Sequence, residues 1–164
     1  MEIEKKFTIK QLPKDLDKYE TKEIEQGYLC VDPVVRIRKS NDSYYLTYKA
    51  NKNFQNGTQE VALINEEIEV ALTKESYLHL KEKVDFNIIK KTRYLIPLEN
   101  NAIAELDVFH GNLEGLCFVE VEFKDEEEAK GFHKPEWFLE EVSFDKRFRN
   151  NYLITIHSLD ELGL

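Results

Sequence analysis

Period-two alternation of charged and apolar residues runs through most of this chain, and it constrains the fold more than any other feature. Glu2, Glu4 and Lys6 alternate with Ile3 and Phe7 in the first segment. The pattern returns as Arg36 and Arg38, Thr47 and Lys49, Glu67 and Glu69, Lys91 and Arg93, Glu105 and Asp107, and Glu120 and Glu122. In nearly every case the neighbours one position away are Val, Ile, Leu, Tyr or Phe. A strand sends successive side chains to opposite faces, so this spacing reads as strands rather than helices. It predicts strands at 2–9, 23–30, 34–39, 43–49, 60–71, 88–96, 102–109 and 116–123. Turn residues separate many of them: Asp32-Pro33, Asn41-Asp42, Asn56-Gly57, Asn100-Asn101 and the stretch from Gly111 to Gly115.

Helical signals are fewer. Residues 73–84 open on a Thr73 cap and place Tyr77, Leu80 and Val84 on one side. Residues 125–132 start at Asp125 with Glu128 at capping-box spacing, and a last helix is expected near 149–161, stopping at Gly163. At 164 residues the chain is expected to form a single domain, residues 1–164. The fold expected is mainly β (α+β): an eight-stranded antiparallel β-barrel with peripheral helices.

On any one strand the charged face would pass for the solvated side of a flat sheet, with cross-strand pairs worth ~0.2–1 kcal/mol each. Seven strands with charges in the same phase, doubled on six of them, point instead to the lumen of a closed barrel. That face carries six cations (Lys6, Arg36, Arg38, Lys49, Lys91, Arg93) and eight anions (Glu2, Glu4, Glu67, Glu69, Glu105, Asp107, Glu120, Glu122). Buried charge on this scale is costly unless it is paired or ligated. Carboxylates suit hard divalent cations, and Lys and Arg suit phosphate oxygens. A polyphosphate bridged by Mg²⁺ or Mn²⁺ uses both sets at once.

Composition removes other classes. A formal charge of −9 disfavours nucleic acid and anionic membrane as partners. Cys30 and Cys117 are too few for a disulfide framework and do not form a Cys-x-x-Cys pair; both read as small core residues. The opening MEIEKKF has no apolar segment of a signal peptide, and no run approaches the ~20 apolar residues of a membrane span. The expectation is a cytoplasmic protein. His79, His110, His133 and His157 are scattered without ligand spacing, and Trp137 reads as a packing anchor.

The ordered set of motifs resembles the CYTH domains, also called triphosphate tunnel metalloenzymes. The run EIEKK at Glu2–Lys6 is similar to the family's opening signature. RIR (Arg36–Arg38), LTYK (Leu46–Lys49), EEIE (Glu66–Glu69), KTRY (Lys91–Tyr94), ELDVF (Glu105–Phe109) and VEVEF (Val119–Phe123) follow in family order. The likeness continues through Glu140–Leu153 and covers essentially the whole chain. It implies an eight-stranded tunnel with an acidic patch for metal and a basic patch for triphosphate. It implies metal ligands at Glu2, Glu4, Glu120 and Glu122, with Glu67 and Asp107 as further contributors. It implies phosphate ligands at Lys6, Arg36, Arg38, Lys49, Lys91 and Arg93, with Lys146 and Arg147 in the closing basic segment. Gln26 and Tyr28 fall on a strand that also approaches the lumen. Asn65 stands where relatives commonly carry a basic residue.

The function expected is divalent-metal-dependent hydrolysis of inorganic tripolyphosphate or a related triphosphate, with two ions of Mg²⁺ or Mn²⁺. Glu67 would orient the attacking water, and Lys6, Lys91 or Arg93 would steady the leaving pyrophosphate. The alternatives are class IV adenylyl cyclase, thiamine or nucleoside triphosphate hydrolysis, and a non-catalytic polyphosphate-binding module. The whole pattern most resembles the short bacterial tripolyphosphatases.

Overall fold

Strand β1 (Glu2–Ile9) has two different neighbours along one of its edges, and this split organises the molecule. The computed structural model describes residues 1–53 and 61–164. The other strands are β2 (Glu20–Val31), β3 (Val34–Ser40), β4 (Ser43–Asn51), β5 (Leu63–Ala71), β6 (Asp85–Pro97), β7 (Ile103–Phe109), β8 (Cys117–Phe123) and β9 (Phe138–Glu141). They hydrogen-bond in the order β5-β4-β3-β2-β6-β7-β8-β1-β9, and β1 returns to β5. Glu2–Glu4 pair with Leu63–Asn65 of β5 and close an eight-stranded antiparallel barrel; Phe7 and Ile9 pair with β9. The eight expected strands are all present. The predicted turn at Asn56-Gly57 and the start of the strand at 60 lie outside the described residues.

Register puts the alternating sets where a barrel needs them. Glu4 faces Glu122 and Lys6 faces Glu120 across β1–β8; Arg93 faces Asp107 across β6–β7; Lys49 faces Glu67 across β4–β5. The outward apolar set, including Phe7, Leu106, Val119, Val121 and Phe123, is covered by Phe138 of β9 and Ala129 of helix α2 (Glu126–Lys130). Phe7 packs against Phe138 at 4.9 Å between ring centroids. Trp137 packs edge-on against Phe138, as an anchor residue should. Each large side chain buried this way contributes roughly 1.5–3 kcal/mol.

The inward face changes character along the strands. One pleat beyond Lys91, Asp107 and Glu120 come Ile89, Phe109 and Phe118, all buried. These meet Phe148, Leu153, Ile154, Ile156 and Leu162 of the C-terminal segment in one apolar cluster with Tyr28. One end of the lumen is therefore filled with hydrocarbon, and charge is confined to the remainder.

Two of the three expected helices are capped as read. Thr73 Oγ1 accepts from the Ser76 amide in α1 (Lys74–Lys81), and Asp125 Oδ1 accepts from the Glu128 amide in α2. The Glu128 carboxylate accepts from the Lys124 amide rather than from that of Asp125, so the reciprocal half of the box falls one residue early. The long helix expected at 149–161 is a correction. The segment forms one short turn, α3 (Asn150–Leu153), and a separate 3₁₀ turn at Leu159–Leu162. Asn87 takes the carbonyls of Ile154 and Ile156, which a continuing helix would need. Ser158 and Glu161 then form a capping box that starts the second turn.

Candidate active site

The charged part of the lumen encloses a cavity of about 750 Å³. Its cations are Lys6, Arg36, Arg38, Lys49, Arg93, Lys146 and Arg149; its carboxylates are Glu2, Glu4, Asp32, Glu67, Glu69, Glu120 and Glu122. The excess of anions expected from the alternation is absent among the described lining residues. Lys91 and Asp107 share the inward phase but are sealed behind the cavity wall, and the half-buried Glu105 pairs with Arg93 outside the lining, whereas Lys146, Arg149 and Asp32 enter from loops and turns.

Glu2, Glu4 and Glu122 each offer a carboxylate oxygen, and these oxygens lie within 4.8 Å of one another. Burial, opposed by Lys49 and reinforced by Glu120 and Glu2, pushes Glu4 up to about 7. Its Oε2 is buried without a hydrogen-bond partner. Glu122 still meets solvent, yet partial burial and the charges of Glu105, Glu2, Glu4 and Glu120 push it up to about 8. Burial also raises Glu2, which Lys49 pairs with directly and Asn65 Nδ2 contacts at 3.1 Å. Three crowded carboxylates, one with an orphaned oxygen, offer the kind of oxygen donors that a hard divalent cation takes, and the residues fit such an ion.

Glu120, expected beside them, is tied elsewhere. Its Oε1 lies 3.9 Å from both Lys6 Nζ and Arg93 Nη2, and despite its burial these cations hold it well below the usual carboxylate range. Asp107 departs further from the expected metal-ligand position. It is fully buried; Arg93 clasps it through Nε at 2.7 Å and Nη2 at 2.9 Å, and Lys91 Nζ donates to it at 2.7 Å. Lys91, expected to touch substrate, is wholly buried, with its ammonium over the Phe109 ring and 3.3 Å from Asn150 Oδ1. Burial and the neighbouring Arg93 and Arg38 push its pKa below the usual lysine range, against the pull of Asp107.

The basic wall keeps the other expected residues together. Lys49 reaches Glu2 and Glu4, Arg36 lies 4.0 Å from Glu67, and Arg93 also pairs with Glu105. Arg36 Nη2 donates to Thr47 Oγ1, which donates to Glu69, while Arg36 Nε is buried without a partner. An orphaned carboxylate oxygen and an orphaned guanidinium N–H in one cavity ask for a cation and an anion together. Lys6 lines the cavity and is pinned by Nζ donating to the Phe148 carbonyl at 2.7 Å.

The closing basic segment is half as expected. Lys146 lines the cavity; Arg147 does not, because its guanidinium turns back onto Asp145 and the Leu162 carbonyl. Lys146–Phe148 form a 3₁₀ turn, in which side chains three apart eclipse, so Arg149 is the second cation from this segment to line the cavity. Its signal in the sequence was the Lys-Arg-Phe-Arg spacing, once the turn type is known. Asn150 and Asn151 line the cavity beside it without any earlier signal.

The sequence matches the CYTH domain over residues 1–149. It is 34% identical over 155 residues to an inorganic triphosphatase of Nitrosomonas europaea, covering 93% of this chain and 95% of that one. It is 36% identical over 157 residues to an inorganic triphosphatase of Acetivibrio thermocellus, covering 93% and 92%. The fold matches a crystal structure of the inorganic triphosphatase NE1496 with a TM-score of 0.67 at 32% identity, covering 96% of this chain and 97% of that one.

Proposed function

The chain belongs to the CYTH domain family, and on that premise we propose that it is a divalent-metal-dependent triphosphatase that hydrolyses inorganic tripolyphosphate. One observation carries the reading. The carboxylate cluster of Glu2, Glu4 and Glu122 and the cations Arg36, Arg38, Lys49 and Arg93 line the same cavity, and each set includes a buried polar atom without a hydrogen-bond partner.

Arg36, Arg38, Arg93 and Lys49 hold the phosphate oxygens and offset charge that develops during transfer. Lys146 and Arg149 extend that wall from the C-terminal segment. Mg²⁺ or Mn²⁺ held by Glu2, Glu4 and Glu122 would supply positive charge at the phosphate oxygens and acidity to a water. Glu67, beside Glu2, orients the attacking water, and a second, weaker ion would draw on it as well. Lys6 steadies the leaving pyrophosphate together with Arg93. Lys91 acts from behind the wall by holding Asp107, which in turn fixes the plane of Arg93.

The test is product analysis after incubation of purified protein with tripolyphosphate, ATP or thiamine triphosphate, each with Mg²⁺ or Mn²⁺. Equimolar orthophosphate and pyrophosphate from tripolyphosphate is the expected result. Cyclic AMP with pyrophosphate from ATP would replace this reading with a cyclase, and tight binding without turnover would replace it with a binding module.

A further inference from the structure

Arg38 differs from the other strand-borne cations of the cavity in having no carboxylate within 4.0 Å among the described residues. Lys6, Arg36, Lys49 and Arg93 each have at least one. Its hydrogen-bond partner is a neutral amide: Gln26 Oε1 accepts from Arg38 Nε at 3.0 Å and from Nη2 at 2.7 Å. Gln26 is fully buried and stands directly opposite Arg38 across β2–β3.

An arginine only donates, so the amide orientation is fixed by Arg38, and Gln26 Nε2 must donate in its turn. It does so to the Tyr28 hydroxyl at 3.0 Å. That hydroxyl therefore acts as acceptor toward Gln26 and keeps its own proton for another partner. No other described side chain takes that proton, and Tyr28 lines the cavity. The strand is held in place from the outside by Gly27. A Cβ there would meet Val84 Cγ1 at 2.7 Å and Ile88 Cδ1 at 2.8 Å, so a side chain at 27 would push these two residues off the strand.

We propose that Gln26 is a positioning residue that aims the Arg38 guanidinium at a bound triphosphate without neutralising it, and that turns the Tyr28 O–H toward the same anion as a further donor. This rests on the triphosphate reading of the cavity. A carboxylate at position 26 would hold Arg38 equally well but cancel its charge and reverse the Tyr28 hydrogen bond. A neutral amide is the side chain of that size that orients the guanidinium and leaves its charge for the ligand.

The experiment compares wild type, Gln26→Glu and Tyr28→Phe by thermal melting and by steady-state kinetics with inorganic tripolyphosphate and Mg²⁺. The expectation for Gln26→Glu is a ligand-free melting temperature at or above wild type, since the new carboxylate pairs with Arg38. Its KM should rise about 10–100-fold, the size of one charge-assisted contact, with kcat within about threefold. Tyr28→Phe should raise KM about 3–10-fold, with ligand-free melting close to wild type. A purely structural Gln26 predicts an unchanged KM in Gln26→Glu, and that result overturns the proposal. Should that variant fail to fold, an unchanged KM in Tyr28→Phe overturns it instead. The parent reading is tested by wild type alone: no stabilisation by tripolyphosphate with Mg²⁺ would refute both, before any variant is made.

Discussion

Glu4 and Glu122 stand directly opposite each other across the β1–β8 pair, two carboxylates at one cross-strand position. Like charges so placed destabilise a sheet unless something neutralises them. On the proposed reading, a proton neutralises them in the metal-free protein and a divalent ion in the working one.

The metal-free protein should lose stability as pH rises from about 5 to 7. Both carboxyls have folded pKa values above the ordinary 4.5, at about 7 and about 8, so the folded chain keeps protons that the unfolded chain has already released. Stability therefore falls with pH across that window. Glu120 and Asp107, held below their ordinary values, have finished titrating and do not oppose the trend, whereas Lys91, pushed down to about 7, opposes it from the top of the window upward and so ends the window there. Melting temperatures in chelator should decline from pH 5 to 7, the decline should shrink in Glu122→Gln, and saturating Mg²⁺ should flatten it. A flat wild-type profile in chelator would contradict this picture.

Glu4→Gln keeps the side chain's size and removes one ligand charge. Turnover of tripolyphosphate should drop by orders of magnitude, about 10²-fold or more, while the variant folds and melts near or above wild type. Near-normal turnover in limiting Mn²⁺ would remove Glu4 from the site.

Asp107→Asn separates a role behind the wall from a role as metal ligand. It leaves Lys91 and Arg93 buried without their common counter-charge, at a cost of about 3–5 kcal/mol by analogy with other broken buried pairs. The melting temperature should fall steeply, and KM should rise as Arg93 loses its fixed plane. Metal affinity by calorimetry should stay near wild type. Lost metal affinity with unchanged melting would restore Asp107 to the ligand set.

Arg147 inside the 3₁₀ turn and Arg149 directly after it provide an internal control. Arg149→Ala should raise KM for tripolyphosphate about tenfold, the scale of one charge-assisted phosphate contact. Arg147→Ala removes an exposed pair with Asp145 and should leave KM unchanged. The reverse order would mean that the turn is inverted in the working protein.

Alternation identified the barrel because a face repeated on seven strands survives small errors in each boundary. It identified faces but not depth. Lys91 and Arg93 share a phase, yet one is sealed behind the wall and the other lines the cavity, because the C-terminal segment covers the lumen from Phe109 outward. Strand β9 has no alternation in its four residues, and only the free upper edge of β1 makes it a strand. The last helix looked continuous because its apolar spacing is helical; Asn87, more than sixty residues away, interrupts it by taking two of its carbonyls. The Gln26 relay was out of reach for a similar reason, since its meaning depends on which cation sits opposite.

Whether the acidic cluster and the basic wall act on one ligand is tested most directly by titration calorimetry of tripolyphosphate into the wild-type protein, with Mg²⁺ and again in chelator. Cations and carboxylates balance in the cavity, so a polyanion gains little there without added positive charge. The account predicts tight one-to-one binding with Mg²⁺ and a loss of affinity of about 10²-fold or more in chelator. Equal affinity in both conditions would show that the carboxylates and the triphosphate are unconnected, and would contradict the account.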